Sequence, residues 1–175
     1  MSFYTRYGLK LQLNLGEQDN MEKLYLHCGA KEATYEEVKA VPTPKPMGPR
    51  HNPINHAVLV DYAKQALADA DCTISSESYG LNNEGSEMFG LFRIEHQDSN
   101  GNYEQVVGLR DSHSQLFSAG LCAGAGVFVC DNLAFNAEIK VARKHTKNIE
   151  RDLENLVNEA VGQLESKWLD LQVRY

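Results

Sequence analysis

The amino-acid sequence predicts an α+β domain: an antiparallel β-meander sheet of about five to seven strands, with two principal helices on one face, including a long C-terminal helix. Three observations carry this expectation. Strand-forming runs separated by polar turns fill the middle of the chain, with Asn100-Gly101 supplying the positive φ values that a tight hairpin needs. Apolar residues recur every three or four positions over the last thirty or so residues, the stripe of an amphipathic helix. Between the two, Val106–Phe135 opens as a strand, passes the polar knot Arg110-Asp111-Ser112-His113-Ser114, crosses a Gly/Ala run and closes on Val127-Phe128-Val129. That last stretch is expected to supply the central strand on which the rest packs.

Taken in order, Leu9, Leu11, Leu13 and Leu15 alternate with polar residues at the period of a half-buried strand. With Met21–Cys28 they predict an N-terminal hairpin over residues 1–28. Thr34 and Glu37 have the spacing of a capping box, which opens a short helix. All five prolines fall within Pro42–Pro53, so residues 41–53 form an extended arm, because each Pro lacks an N–H and fixes φ. The arm lies along its own domain or reaches a neighbouring subunit. Residues 54–145 form the helix-and-sheet core. Asn52-Pro53 starts a helix to about Ala70 that buries Val58, Tyr62, Ala66 and Leu67. Strands follow at Cys72–Tyr79, Glu87–His96 and Tyr103–Arg110, with a polar loop at Gly80–Ser86. Gln115–Cys122 is read as one or two helical turns, and Phe135–Val141 as a further strand. Thr146 caps the long helix over residues 146–173, whose stripe runs through Ile149, Leu153, Leu156, Ala160, Leu164, Trp168 and Leu171. That helix exceeds what one small sheet can cover, which points to a homo-oligomer.

A length of 175 residues suits one domain over residues 1–175. The hydrophobic share of 42% and charged share of 23% are ordinary for a soluble protein. No apolar run approaches the ~20 residues of a membrane span, and the first residues lack signal-peptide order, so the expected location is the cytoplasm. Cys28, Cys72, Cys122 and Cys130 show no CxxC spacing and are expected to be reduced and buried. The net charge of −7 is unevenly spread. Residues 140–151 carry Lys140, Arg143, Lys144, Lys147 and Arg151 against Glu150 alone, a local balance of +4 that leaves −11 on the rest.

Little in the sequence signals catalysis. Neighbouring residues on an extended chain point to opposite sides, so Ser112 and His113 are badly placed for direct proton transfer, and a turn held by hydroxyl-to-backbone bonds is expected instead. The six histidines are scattered, none at helical spacing from another ligand, so no metal and no cofactor is expected. Gly120, Gly124 and Gly126 do not match the GxGxxG order and are read as sites of close backbone packing. The basic cluster is the main binding signal. Lys147 and Arg151 sit at a helix N-terminus, where positive charge is disfavoured, so a use beyond local stability is expected.

The order of segments resembles the domain of unknown function 932 family. The matching pieces are Pro49–Leu67, EMFGLFRIE, GLRDSHS, VFVCDNLAF and RKHTKN, within a span from about Cys28 to Gln163. The resemblance implies a protein of phage, prophage or plasmid context and assigns no catalytic residue. Helix, meander and long basic-ended helix are also similar in order to ring-forming single-strand annealing recombinases, an analogy of architecture. The function expected is therefore non-enzymatic: an oligomeric, nucleic-acid-associated protein that takes single-stranded nucleic acid. Arg110, His113, Lys140, Arg143, Lys144 and Lys147 are the candidate contacts. The alternative is a protein-binding inhibitor of a host defence or nucleic-acid enzyme, using the acidic remainder, and a hydrolase or transferase comes third.

Overall fold

The computed structural model describes residues 29–95, 105–124, 128–129, 135–136 and 139–173. The expected hairpin at 1–28, the Asn100-Gly101 turn and the side chains of Trp168 and Leu171 lie outside the described residues. Strand β1 (Lys31–Ala33) leads into helix α1 (Tyr35–Ala40), and helix α2 (His56–Asp69) follows the proline arm. Strands β2 (Thr73–Asn82), β3 (Glu87–Glu95), β4 (Gln105–Ser112) and β5 (Ala119–Gly124) come next. Two short strands, β6 (Phe128–Val129) and β7 (Phe135–Asn136), precede β8 (Ile139–Arg143) and the long helix α3 (Ile149–Val173). The main sheet has six antiparallel strands in the order β1-β2-β3-β4-β5-β8. Helices α2 and α3 pack on one face of it and on each other.

Period-two alternation decides what each strand sends to the helices. Met88, Phe92 and Ile94 of β3, Val107 and Leu109 of β4, and Ala119, Leu121 and Ala123 of β5 point into the core. They meet Leu59, Val60, Ala63 and Leu67 of α2, and Ile149, Leu153, Val157, Ala160, Val161 and Leu164 of α3. Burying one Leu, Val or Phe side chain stabilises by about 1.5–3 kcal/mol, so this two-layer core is the main source of stability. Val58 and Tyr62, expected in the core, are only partly buried, because α2 is turned to bring Leu59 and Ala63 inward. Among the described residues no helix is long and apolar enough to cross a membrane.

Several boundaries differ from expectation, each for a local reason. The Thr34–Glu37 capping box is present in full. Helix α2 starts after Asn55, not at Asn52-Pro53: the Asn55 side chain accepts from Ala57 N at 2.9 Å, while its amide donates to Lys39 O and Val41 O and ties α1 to α2. Strand β2 runs on to Asn82 through part of the expected loop, and Asn83, Glu84 and Gly85 turn the chain with positive φ. Helix α3 starts after Asn148; Thr146 instead forms a bridge with His51.

The larger correction concerns the stretch expected to be central. Ala119–Gly124 is a strand, not a helical turn, and Gln115 with φ 61° breaks the chain just before it. A Cβ on Gly120 would lie 2.7 Å from Val141 O, so glycine there permits the close approach of β5 to β8. Among the described residues Phe128–Val129 pairs with Phe135–Asn136, in a separate two-stranded sheet that packs against β3 and β4. The central strands are β3 and β4 instead.

Candidate functional site: a cationic groove above a buried histidine–aspartate network

The polar knot at the end of β4 organises the site. Asp111 points to the helix side of the sheet, where it is fully buried. Its Oδ2 accepts from His56 Nδ1 at 2.7 Å, and its Oδ1 from His145 Nε2 at 2.6 Å and from Ser112 N at 3.0 Å. Burial alone would push this carboxyl up, but the bonds from His145 and His56 overcome it and hold the carboxyl below its ordinary range. Asp111 is thus an anion.

The hydrogen-bond partners assign the rings. His56 faces acceptors on both sides, Asp111 through Nδ1 and the Gly85 carbonyl through Nε2 at 2.9 Å, so both nitrogens donate and the ring is cationic. His145 accepts from Ile54 N through Nδ1 at 3.3 Å, which leaves Nε2 to donate to Asp111. His113 donates through Nε2 to Ile54 O at 2.7 Å. Its ring stacks on His56 with centroids 3.8 Å apart and planes within 9°. Burial, and then the His56 charge, lowers the His113 pKa, so that ring stays neutral. Both backbone groups of Ile54 are therefore clamped by histidines from distant parts of the chain.

This clamp places the proline arm. Asn52 N donates to His145 O at 3.1 Å, His51 bridges Thr146, and Met47 N donates to His51 Nδ1 at 3.0 Å. The arm lies along its own domain beside the β8–α3 connection. Between them and the loop after β4 runs a groove of about 480 Å³, lined by Arg50, His51, Lys144, His145, Thr146 and residues 115–118. His51 Nδ1 accepts, so Nε2 carries the proton, and this buried donor has no partner among the described residues. Phe117 lines the groove with Arg110 5.1 Å from its ring centroid and Phe89 at 5.7 Å.

The structure scatters the six residues expected to bind nucleic acid. Lys144 lines the groove. Arg110 and Lys140 lie on the sheet face away from the helices, as the register through Gly108, Cys122 and Gly120 requires. Arg143 points to the helix side and pairs with Asp152 at 2.5 Å, an acid that also holds Arg151 at 3.0 Å. Lys147 is exposed just before α3. His113 is buried in the clamp and spends its Nε2 on Ile54, so it is a structural residue of the site and not a surface contact. Arg50, His51 and Phe117 were not among the expected residues. The only trace of them in the sequence is Arg50-His51 at the end of the arm and a lone aromatic after the Ser-His-Ser turn.

The network limits the chemistry. His56, Asp111 and His113 offer ligand atoms within 4.8 Å of one another. Parallel stacking keeps the in-plane lone pairs of the two rings from converging, and both His56 nitrogens already face acceptors, so an ion would require one ring to turn. Ser112 Oγ lies 2.9 Å from Ser114 Oγ and accepts from Leu116 N at 3.2 Å, the hydroxyl-held turn expected from the sequence. Both nitrogens of His56 and of His145 are engaged, which leaves neither as a base directed at the groove. No family model, curated protein or solved structure matches the chain.

Proposed function

We propose that the protein is a non-enzymatic, nucleic-acid-associated protein whose contact surface is the groove between the proline arm and the β8–α3 connection. The observation that carries this reading is the gathering of the exposed Arg50 and Lys144 in one groove. A polyanion satisfies both at once, and the acidic remainder of the chain disfavours binding elsewhere. The resemblance of GLRDSHS, VFVCDNLAF and RKHTKN to the domain of unknown function 932 family supports a mobile-element context. A single shallow groove supplies few contacts, so useful affinity comes from a homo-oligomer that lines up several grooves.

Fluorescence anisotropy of a labelled oligonucleotide against salt tests the reading. If Arg50 and Lys144 each neutralise a phosphate, the log–log slope is about −1.4 for a single strand. The pair Arg50→Ala with Lys144→Ala lowers its magnitude by about 1.4 by the same rule. Arg143→Ala leaves it unchanged, because that side chain is held by Asp152. No binding at tens of micromolar, or a slope untouched by the double substitution, overturns the proposal.

A further inference from the structure

We infer that the groove takes an unpaired strand, one base of which is laid against Phe117 while Arg50 and Lys144 hold the flanking phosphates; this rests on the groove being a nucleic-acid interface. Among the described residues only Met47, 66% exposed, and Leu116, 58% exposed, are large apolar side chains left mostly in water. Leu116 lines the groove, and Met47 touches its rim, its Sδ accepting at 3.9 Å from the lining residue Gln115. Phe117 is half-buried beside them. Its ring is held by Arg110 on one side and by Phe89, which is 1% exposed and immobilised in the sheet. A ring braced in this way forms a platform without paying rotamer entropy when a ligand arrives.

Cations next to flat or soft apolar side chains match a ligand that alternates charge with a planar apolar unit. A single strand does this at every nucleotide. A duplex keeps its bases stacked inside and offers the groove phosphates alone. An acidic peptide carries its carboxylates on flexible stems with no planar face. Stacking on one ring is tolerant of sequence, because every base has a π-face, so the site discriminates strandedness and not sequence.

The test uses the whole chain at low salt with four labelled or competing polyanions: oligothymidylate, an abasic deoxyribose-phosphate chain of the same length, a duplex of that length, and poly-glutamate. Expected is a preference for oligothymidylate over the abasic chain of about five- to 150-fold, the range for one stacked base. Phe117→Leu, which keeps the packing volume, brings that ratio close to one, and Phe117→Tyr restores it. A thermal melt of each variant confirms that it folds. Equal binding of oligothymidylate and the abasic chain, or a ratio unmoved by Phe117→Leu, overturns the inference while leaving phosphate binding intact. Tighter binding of the duplex overturns it as well, and tighter binding of poly-glutamate does so in favour of an acidic protein partner. Failure of all the nucleic-acid probes removes the parent reading instead.

Discussion

Replacing Asp111 tests the buried network most directly, because two substitutions separate its charge from its hydrogen bonds. Asp111→Ala leaves the protonated His56 without its anion and the His145 Nε2–H without an acceptor, both in the interior. Removing one partner of a buried pair costs about 3–5 kcal/mol. At about 2–4 °C per kcal/mol for a domain of this size, the melting temperature falls by roughly 6–20 °C. Asp111→Asn behaves differently. The new amide oxygen accepts from His145, and the new NH2 donates to a His56 that has given up its Nδ1 proton while Nε2 still donates to Gly85 O. Every polar group is then satisfied in a neutral network, so the cost at neutral pH is well below that of Asp111→Ala. The two proteins also differ in acid. The wild-type carboxyl is held below its ordinary value in the folded state, so its contribution is complete above about pH 4 and is lost as pH falls below that. Asp111→Asn lacks this carboxyl limb, but its His56 is neutral in the fold and protonates at its ordinary value once unfolded, so its stability instead begins to fall as pH drops below about 6.5. Urea melts from neutral pH to about pH 3 measure both effects. If Asp111→Asn is as damaging as Asp111→Ala at neutral pH, or keeps the wild-type acid limb, the assignment of charges and donors is wrong.

Three further outcomes follow from packing and burial. Gly120→Val destabilises by about 1–3 kcal/mol in a urea melt, because its Cβ meets Val141 O at 2.7 Å. Gly162→Ala, with open space around its Cβ inside α3, stabilises by roughly 0.5–1 kcal/mol; a neutral Gly120→Val would show that β8 is free to move away. Burial pushes the Cys122 thiol up to about 12. With Cys28→Ser and Cys130→Ser in place, a thiol reagent at neutral pH therefore labels the part-buried Cys72 and spares Cys122 until urea unfolds the protein. Fast labelling of Cys122 in the native state would place β5 near solvent.

The sequence by itself determined the fold class, the capping box at Thr34, the strands at 87–95 and 105–112 within a residue or two, and the long amphipathic helix. Each of these is a local pattern: a cap and its partner lie three residues apart, and a strand or helix face repeats every two or every three to four positions. Where two periods compete over small residues the local signal is ambiguous. Gln115–Cys122 read as helical turns, and only pairing to β4 and β8 makes Ala119–Gly124 a strand. Hydrophobicity likewise does not say which sheet an apolar run joins, so Phe128–Val129 passed for the centre although it pairs in a separate two-stranded sheet. The site was the least legible part. His56 and Asp111 are 55 positions apart, His113 and Ile54 59, and Ile54 and His145 91. As isolated letters they are scattered histidines. Tertiary structure joins them because a buried carboxylate must collect donors, and the helix packed on β4 and the turn after β8 are where donors can be placed. The basic cluster shows the reverse case, contiguous in sequence yet divided between two sheet faces, an ion pair and a groove, since alternate residues of a strand point in opposite directions.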